Sequence, residues 1–223
     1  LPGMHRFVWD LHYPPPAGMR AEYPMSAIYR DTPRGPLGPW VLPGIYTVNL
    51  VVEGRTYSRP LRVTMDPRVA ATAGGLESQF ARSMSAYNGL NTLRPILSRL
   101  GAIRTQIAGL RNVVPRAPLG DSLASLDIRL ASLEGTAGAR RSLSPPQGPA
   151  APTFKSVEAR LRSLLDILQQ TDAPPGPLAV EALEAAGRDL ADLRTRWEAL
   201  SQREIGPLDE SLRASHFPSL LKE

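Results

Sequence analysis

The chain has 223 residues, 42% of them hydrophobic and 21% charged, with a formal net charge of +5 and no cysteine. That length allows one large domain or two small ones. The absence of cysteine excludes disulfides, thiol catalysis and cysteine-type metal sites. The longest apolar run, 45–52, includes Thr47 and Asn49 and falls far short of the ~20 residues a membrane span needs.

Charge is unevenly placed. Residues 1–68 carry 8 basic and 5 acidic residues, 69–150 carry 9 and 4, and 151–223 carry 9 and 12. A basic middle third and an acidic final third suit helices that lie against one another; the sharper alternative is a basic patch for an anionic partner. Only Lys155 and Lys222 are lysine, a composition that argues against nucleic-acid binding, which usually mixes lysine, arginine and aromatics. The chain starts at Leu1 without the basic, apolar and small-residue pattern of a signal peptide. A removed or disordered leader is therefore expected.

Residues 1–68 read as β. From His5 the residues alternate, with His5, Phe7, Trp9, Leu11 and Tyr13 on one face, as in a strand with one buried side. Pro14-Pro15-Pro16 ends it. A short strand is expected near Ala27–Tyr29. After Pro43-Gly44 the strongest strand begins, with Tyr46, Val48, Leu50 and Val52 inward. Glu53-Gly54 is a two-residue hairpin turn. The return strand places Tyr57, Leu61, Val63 and Met65 inward. An immunoglobulin-like sandwich normally has about seven strands, so this half is a reduced sandwich or one completed by a partner at an open edge.

Residues 69–223 read as helix. The run Gly74–Arg111 has apolar residues at three- and four-residue steps, with Pro95 inside it; a kink is expected there. Asp121 can cap a short helix through Leu133, carrying Leu123, Leu126 and Leu130. Residues 135–152 read as a mobile loop rich in Gly, Pro and Ser. Thr153 caps a third helix with Val157, Leu161, Leu164, Leu165 and Leu168 on one face. Pro177 opens a fourth, in which Leu183, Ala186, Leu190, Leu193, Trp197 and Leu200 step by three and four. Gly206-Pro207 ends it. The expected fold class is α+β, a small immunoglobulin-like β-sandwich over 1–68 followed by an antiparallel four-helix bundle over 69–223.

No catalytic, cofactor or metal site emerges. His5, Asp10 and His12 lie close in sequence, but alternation separates His5 from the other two and no serine nucleophile is nearby. Glu181, Glu184, Asp189 and Asp192 lack the Glu-x-x-His pairs of a di-metal bundle. Trp9, Trp40, Trp197 and Phe80 read as packing rather than a ligand box. The candidates for partner contact are Arg94, Arg99, Arg104 and Arg111 of the first helix. Five-residue steps between Arg94, Arg99 and Arg104 rotate successive side chains by ~140°, so they cannot all face one neighbour.

The segments G-M-H-R-F-V-W-D-L-H-Y-P (Gly3–Pro14), G-P-W-V-L-P-G-I-Y-T-V-N-L (Gly38–Leu50) and V-T-M-D-P-R-V (Val63–Val69) resemble the C-terminal region of bacterial sortilin-like proteins with neuraminidase-type propeller repeats. T-F-K-S-V-E-A-R-L and L-D-E-S-L-R-A-S-H-F-P are looser matches. The resemblance implies an immunoglobulin-like β domain followed by helices and a periplasmic or extracellular location. The family's propeller is absent here, so its binding or cleaving activity does not carry over. The function expected is that of a non-catalytic, extracytoplasmic structural or accessory subunit docking onto a larger protein assembly. Its specific form is a place at the periplasmic face of a membrane complex, a photosynthetic one among them. The alternative is a C-terminal accessory domain of an exported propeller-containing hydrolase. No cofactor, nucleic acid or transmembrane segment is expected.

Overall fold

The computed structural model describes residues 3–19, 35, 37–111, 113–114, 116–135 and 151–220. Their regular elements are β1 (Gly44–Val52), β2 (Arg55–Val63), α1 (Ala73–Leu110), α2 (Asp121–Glu134), α3 (Phe154–Leu168), α4 (Pro177–Leu200) and α5 (Gly206–Ala214). The expected short strand near Ala27–Tyr29 and the loop at 135–152, apart from its ends, lie outside the described residues.

The sandwich expectation is corrected. Among the described residues the only sheet is the antiparallel pair β1–β2, and most of the rest is helix. The alternating segment His5–Tyr13 is not a strand. It forms a single bridge, His12 to Trp40. Leu11 takes a left-handed φ of 62°, which breaks the pleat and with it the period-two alternation. The Trp9 indole then donates to the His12 carbonyl at 3.1 Å, closing a local turn. Alternating sequence alone does not make a strand when no neighbour supplies the ladder.

The hairpin itself has the expected turn. Glu53 and Gly54 both take positive φ, 49° and 78°, as a type I′ turn requires. The register runs from Val52 opposite Arg55 to Gly44 opposite Val63. Tyr46, Val48, Leu50 and Val52 therefore share one face with Tyr57, Leu61 and Val63.

Contacts gather the described residues into two compact units. The first comprises described residues of Leu1–Asn88 and Leu164–Glu181, the second those of Gly89–Ser163 and Ala182–Glu223.

In the second unit the apolar stripes meet as a core. It buries Leu90, Leu93, Leu100, Ile103 and Ile107 of α1, Leu123, Leu126 and Leu130 of α2, Phe154, Val157 and Leu161 of α3, and Leu183, Ala186, Leu190, Leu193 and Trp197 of α4. Helix α1 runs through Pro95 as one element. Gly89 has no Cβ, and one placed there would lie 2.9 Å from Leu161 Cδ1, so its absence lets α1 approach α3 closely. Thr153 caps α3 as expected, its hydroxyl accepting from the Ser156 amide at 3.2 Å. Asp121 is the first residue of α2 rather than its cap; the cap position is Gly120, with no side-chain bond. Gly206-Pro207 begins α5 instead of closing α4, because a π-turn over Ser201–Ile205 carries the chain directly from one to the other. The buried Asp209 carboxylate pins the following segment by accepting from the Leu220 amide and the Ser219 hydroxyl, and pairs with Arg213 at 3.0 Å.

Trp197→Ala removes a large side chain from this core. The expected cost is about 3–5 kcal/mol, read as a lowered midpoint in denaturant unfolding. A loss below about 1 kcal/mol would show that this face of α4 is not packed.

Candidate functional site

The first unit carries the feature that needs a functional account. Its hairpin is attached at one end and open at the other. Near the base, the Tyr46 ring meets the Trp9 ring edge-on, centroids 5.3 Å apart, and the Tyr46 hydroxyl donates to the Leu42 carbonyl at 2.6 Å. Burial raises the Tyr46 pKa above its usual value, so the hydroxyl remains a donor.

Two backbone bonds hold the chain leading into β1. The Tyr13 amide donates to the Pro39 carbonyl at 2.8 Å and the Val41 amide to the Leu11 carbonyl at 2.9 Å. At Gly38 a Cβ would fall 2.3 Å from the Tyr13 carbonyl oxygen, so these segments approach at a distance only glycine permits. Gln169, just past α3, then reads the same backbone: its Oε1 accepts from the Trp40 amide at 2.6 Å and its Nε2 donates to the Gly38 carbonyl at 3.3 Å. Buried Gln79 of α1 donates to the Leu168 and Thr171 carbonyls, both at 2.6 Å. Leu168 is the last residue of α3, where helical partners run out, and Thr171 lies in the turn that follows it.

Beside these contacts lies a cleft of about 260 Å³, lined mainly by Leu11, Trp40, Met65, Leu76, Phe80 and Gln169. It is predominantly apolar and holds no set of facing acid, base and nucleophile. Asp66, also on its lining, is held by Arg68 at 2.6 Å, which keeps its carboxyl below the usual pKa.

Beyond the base, the hairpin's apolar face is exposed. Leu50 is 60% accessible and Tyr57 54%, with Val48, Val52 and Leu61 also exposed. Register places Arg59 opposite Val48 and Arg55 opposite Val52, so two guanidinium groups border this face. The sequence showed which residues share the face; it did not show that nothing among the described residues covers it.

The arginines singled out in sequence have different roles in the second unit. Arg94 pairs with Glu158 at 2.7 Å. Arg104 bonds Asp127 at 2.8 Å and Glu134 at 2.5 Å; these bonds, Asp127 first, raise its pKa. Arg111 stands 4.0 Å from Asp127 and is about half exposed. Arg99 is exposed. The structure therefore joins Arg104 and Arg111 through a shared carboxylate, while Arg94 and Arg99 lie apart from that group. These carboxylates belong to α2 and α3. Asp189 of α4 pairs instead with Arg160 at 2.5 Å.

Asp10 and His12 are adjacent, as their spacing allows, but in a structural arrangement. His12 Nδ1 lies 3.0 Å from the Asp10 carbonyl oxygen and 3.8 Å from its carboxylate. The ring stacks on Trp40 with centroids 3.6 Å apart. His5 is exposed. Among the described residues no group of three or more His, Asp or Glu could hold a metal ion. No described helix is long and apolar enough to cross a membrane. No protein-family model, curated protein or solved structure matches the chain.

Sequence reasoning missed Gln169 and Gln79. Neither stands out by spacing, because their partners are backbone groups that only the folded chain brings near. Pro60 was missed as well, although a proline inside a strand marks an edge position.

His12 supplies a pH test. Burial lowers its pKa below 6.5, against the smaller opposing effects of the Asp10 carbonyl and carboxylate. Between that lowered value and 6.5 the unfolded chain binds more protons, so folding stability falls on acidification through this window and is fully present above it. His12→Gln should flatten the pH dependence of the unfolding midpoint below 6.5. An unchanged slope would show that His12 does not titrate on unfolding.

Proposed function

We propose that the chain is a non-catalytic docking subunit whose exposed hairpin face binds a protein partner in a larger assembly. One observation carries this reading. Val48, Leu50, Val52, Tyr57 and Leu61 form a contiguous apolar face left accessible to solvent, and contiguous exposed apolar surface marks interaction sites. Arg55 and Arg59 on the same face define the chemistry of the partner: an apolar protein surface bordered by carboxylates. Tyr and Arg are also the residue types that dominate interface energetics.

Exposed Arg99 of α1 and Arg111 just past its end supply a second, electrostatic contact on this reading. The extracytoplasmic placement, and the narrower one beside a photosynthetic or other membrane complex, rest on the sortilin-like motifs alone. The same hairpin would serve the alternative, an accessory domain of an exported propeller-containing hydrolase, with the propeller as the surface docked upon.

A photo-reactive amino acid placed at Tyr57, on the apolar face, and at Ser58, on the opposite one, tests the reading in cells. Cross-links from Tyr57 should map to an apolar, acid-rimmed patch of one partner, and those from Ser58 should be several-fold fewer. Tyr57→Glu with Leu61→Glu should abolish the complex without changing the chain's helical circular dichroism. Raising the salt concentration should weaken it, because the arginine contribution is screened. Equal labelling from both faces, or an undiminished complex in the double variant, would remove the hairpin from the interface.

A further inference from the structure

The two edges of the hairpin are not equivalent. In a two-residue hairpin the closing pair, here Val52 and Arg55, exchanges hydrogen bonds, and pairs then alternate along the ladder. From the register, Gly44, Tyr46, Val48, Leu50 and Val52 point their backbone groups at β2. Ile45, Thr47, Asn49 and Val51 point theirs outward. On β2 the outward positions are Thr56, Ser58, Pro60 and Arg62.

Pro60 has no N–H, so the β2 edge lacks a donor at its centre, and β2 carries three arginines. Both are means of blocking an edge. The β1 edge has neither: Gly44–Val52 contains no charge and no proline. It presents unbroken outward donors and acceptors from Ile45 to Val51.

We propose that this edge pairs with β1 of a second copy of the chain, antiparallel, about a two-fold axis through Val48. The argument is the strand's own pattern. In this register Ile45 of one copy lies opposite Val51 of the other, Thr47 opposite Asn49, Tyr46 opposite Leu50, and Val48 opposite Val48. All the outward-pointing residues fall in hydrogen-bonded pairs, as the ladder demands. The opposite face of β1 holds only two apolar residues, Ile45 and Val51, which are 70% and 64% exposed; this register pairs them with each other. Shifting the axis to Thr47 would set Ile45 opposite Asn49 and Val51 opposite Pro43, outside the strand, and shifting it to Asn49 would set Val51 opposite Thr47 and Ile45 opposite Glu53, outside the strand. Homodimer interfaces of this isologous kind require such self-complementarity.

The product is a four-stranded sheet in the order β2, β1, β1, β2, with both apolar faces on the same side. A β1–β1 seam contains no charge, whereas a β2–β2 seam would bring the arginines of β2 together, and like charges directly opposite destabilise a sheet. The pairing leaves Tyr57 and Leu61 uncovered, so it is compatible with the docking face and does not depend on it.

Sedimentation equilibrium on the purified chain, with no partner present, is the test. The expected mass is twice the 24.2 kDa of one chain. Val48→Lys and Val48→Glu each place like charges on the axis and should sediment at the single-chain mass with unchanged circular dichroism. An equimolar mixture of the two should recover the doubled mass, because only a residue on the axis meets itself. Asn49→Pro, which removes an outward N–H without touching the β1–β2 ladder, should also give single chains, whereas Ser58→Lys on the other edge should not alter the dimer. A wild-type chain that stays at the single mass at about 1 mM, the level of very weak association, would overturn the proposal. So would a dimer that survives both charged variants, or one dissolved by Ser58→Lys and not by Asn49→Pro, which would place the contact on β2 or elsewhere.

Discussion

The amide group of Gln169 ties the chain that enters the hairpin to the end of α3 by two bonds, one to the Trp40 amide and one to the Gly38 carbonyl. An isolated two-stranded hairpin is marginally stable in water at best, so β1 and β2 depend on anchoring of this kind. Around it are the Leu11–Val41 and Tyr13–Pro39 backbone bonds, the His12–Trp40 stack and the Trp9–Tyr46 contact. All act at or below the base of the hairpin. The outer part of the strands is held by its own ladder and turn, which is why its apolar face can stay accessible while its register stays defined.

Anchoring at one end also separates the structural and the interactive parts of the same element. Tyr46 and Val63, at the base, are partly covered, whereas Leu50, Val52 and Tyr57 are exposed. Burying such residues on association returns roughly 25 cal/mol per Å² of apolar surface before the costs of binding are subtracted. The arginines add orientation and approach rate more than affinity. An edge-to-edge pairing draws on the outward backbone groups of β1 and a face-on docking on the apolar side chains of one face, so one small sheet has the surface for both.

In the second unit, carboxylates are shared between cations. Glu134 receives both Arg104 and Lys155, at 2.5 and 2.8 Å, and its side chain is largely shielded from solvent. Asp127 receives Arg104 and lies within reach of Arg111. Arg129 and Glu204 pair as well. A carboxylate shared by two cations orients both, and losing one partner of such a partly shielded group costs more than an exposed pair contributes. The basic excess of residues 69–150 is thereby partly absorbed within the fold, which moves the weight of any partner contact from α1 toward the hairpin.

Local chemistry and periodicity were readable directly. The Glu53-Gly54 turn follows from the need for positive φ, the Thr153 cap from a hydroxyl beside free amides, and the buried stripes of α2, α3 and α4 from steps of three and four. The shared face of Tyr46, Val48, Leu50 and Val52 follows from a period of two. Other outcomes required the folded chain. The His5–Tyr13 alternation found no ladder beyond one bridge and gave way at Leu11, and the immunoglobulin-like sandwich inferred from it did not form. Arg94 and Arg104 met carboxylates from α2 and α3, helices that sequence order alone does not place beside them. Periodicity reports which side chains share a face, because that depends on backbone geometry within one element. Whether a face is covered, an edge paired or a charge neutralised depends on groups distant in sequence, and only tertiary structure brings those within reach.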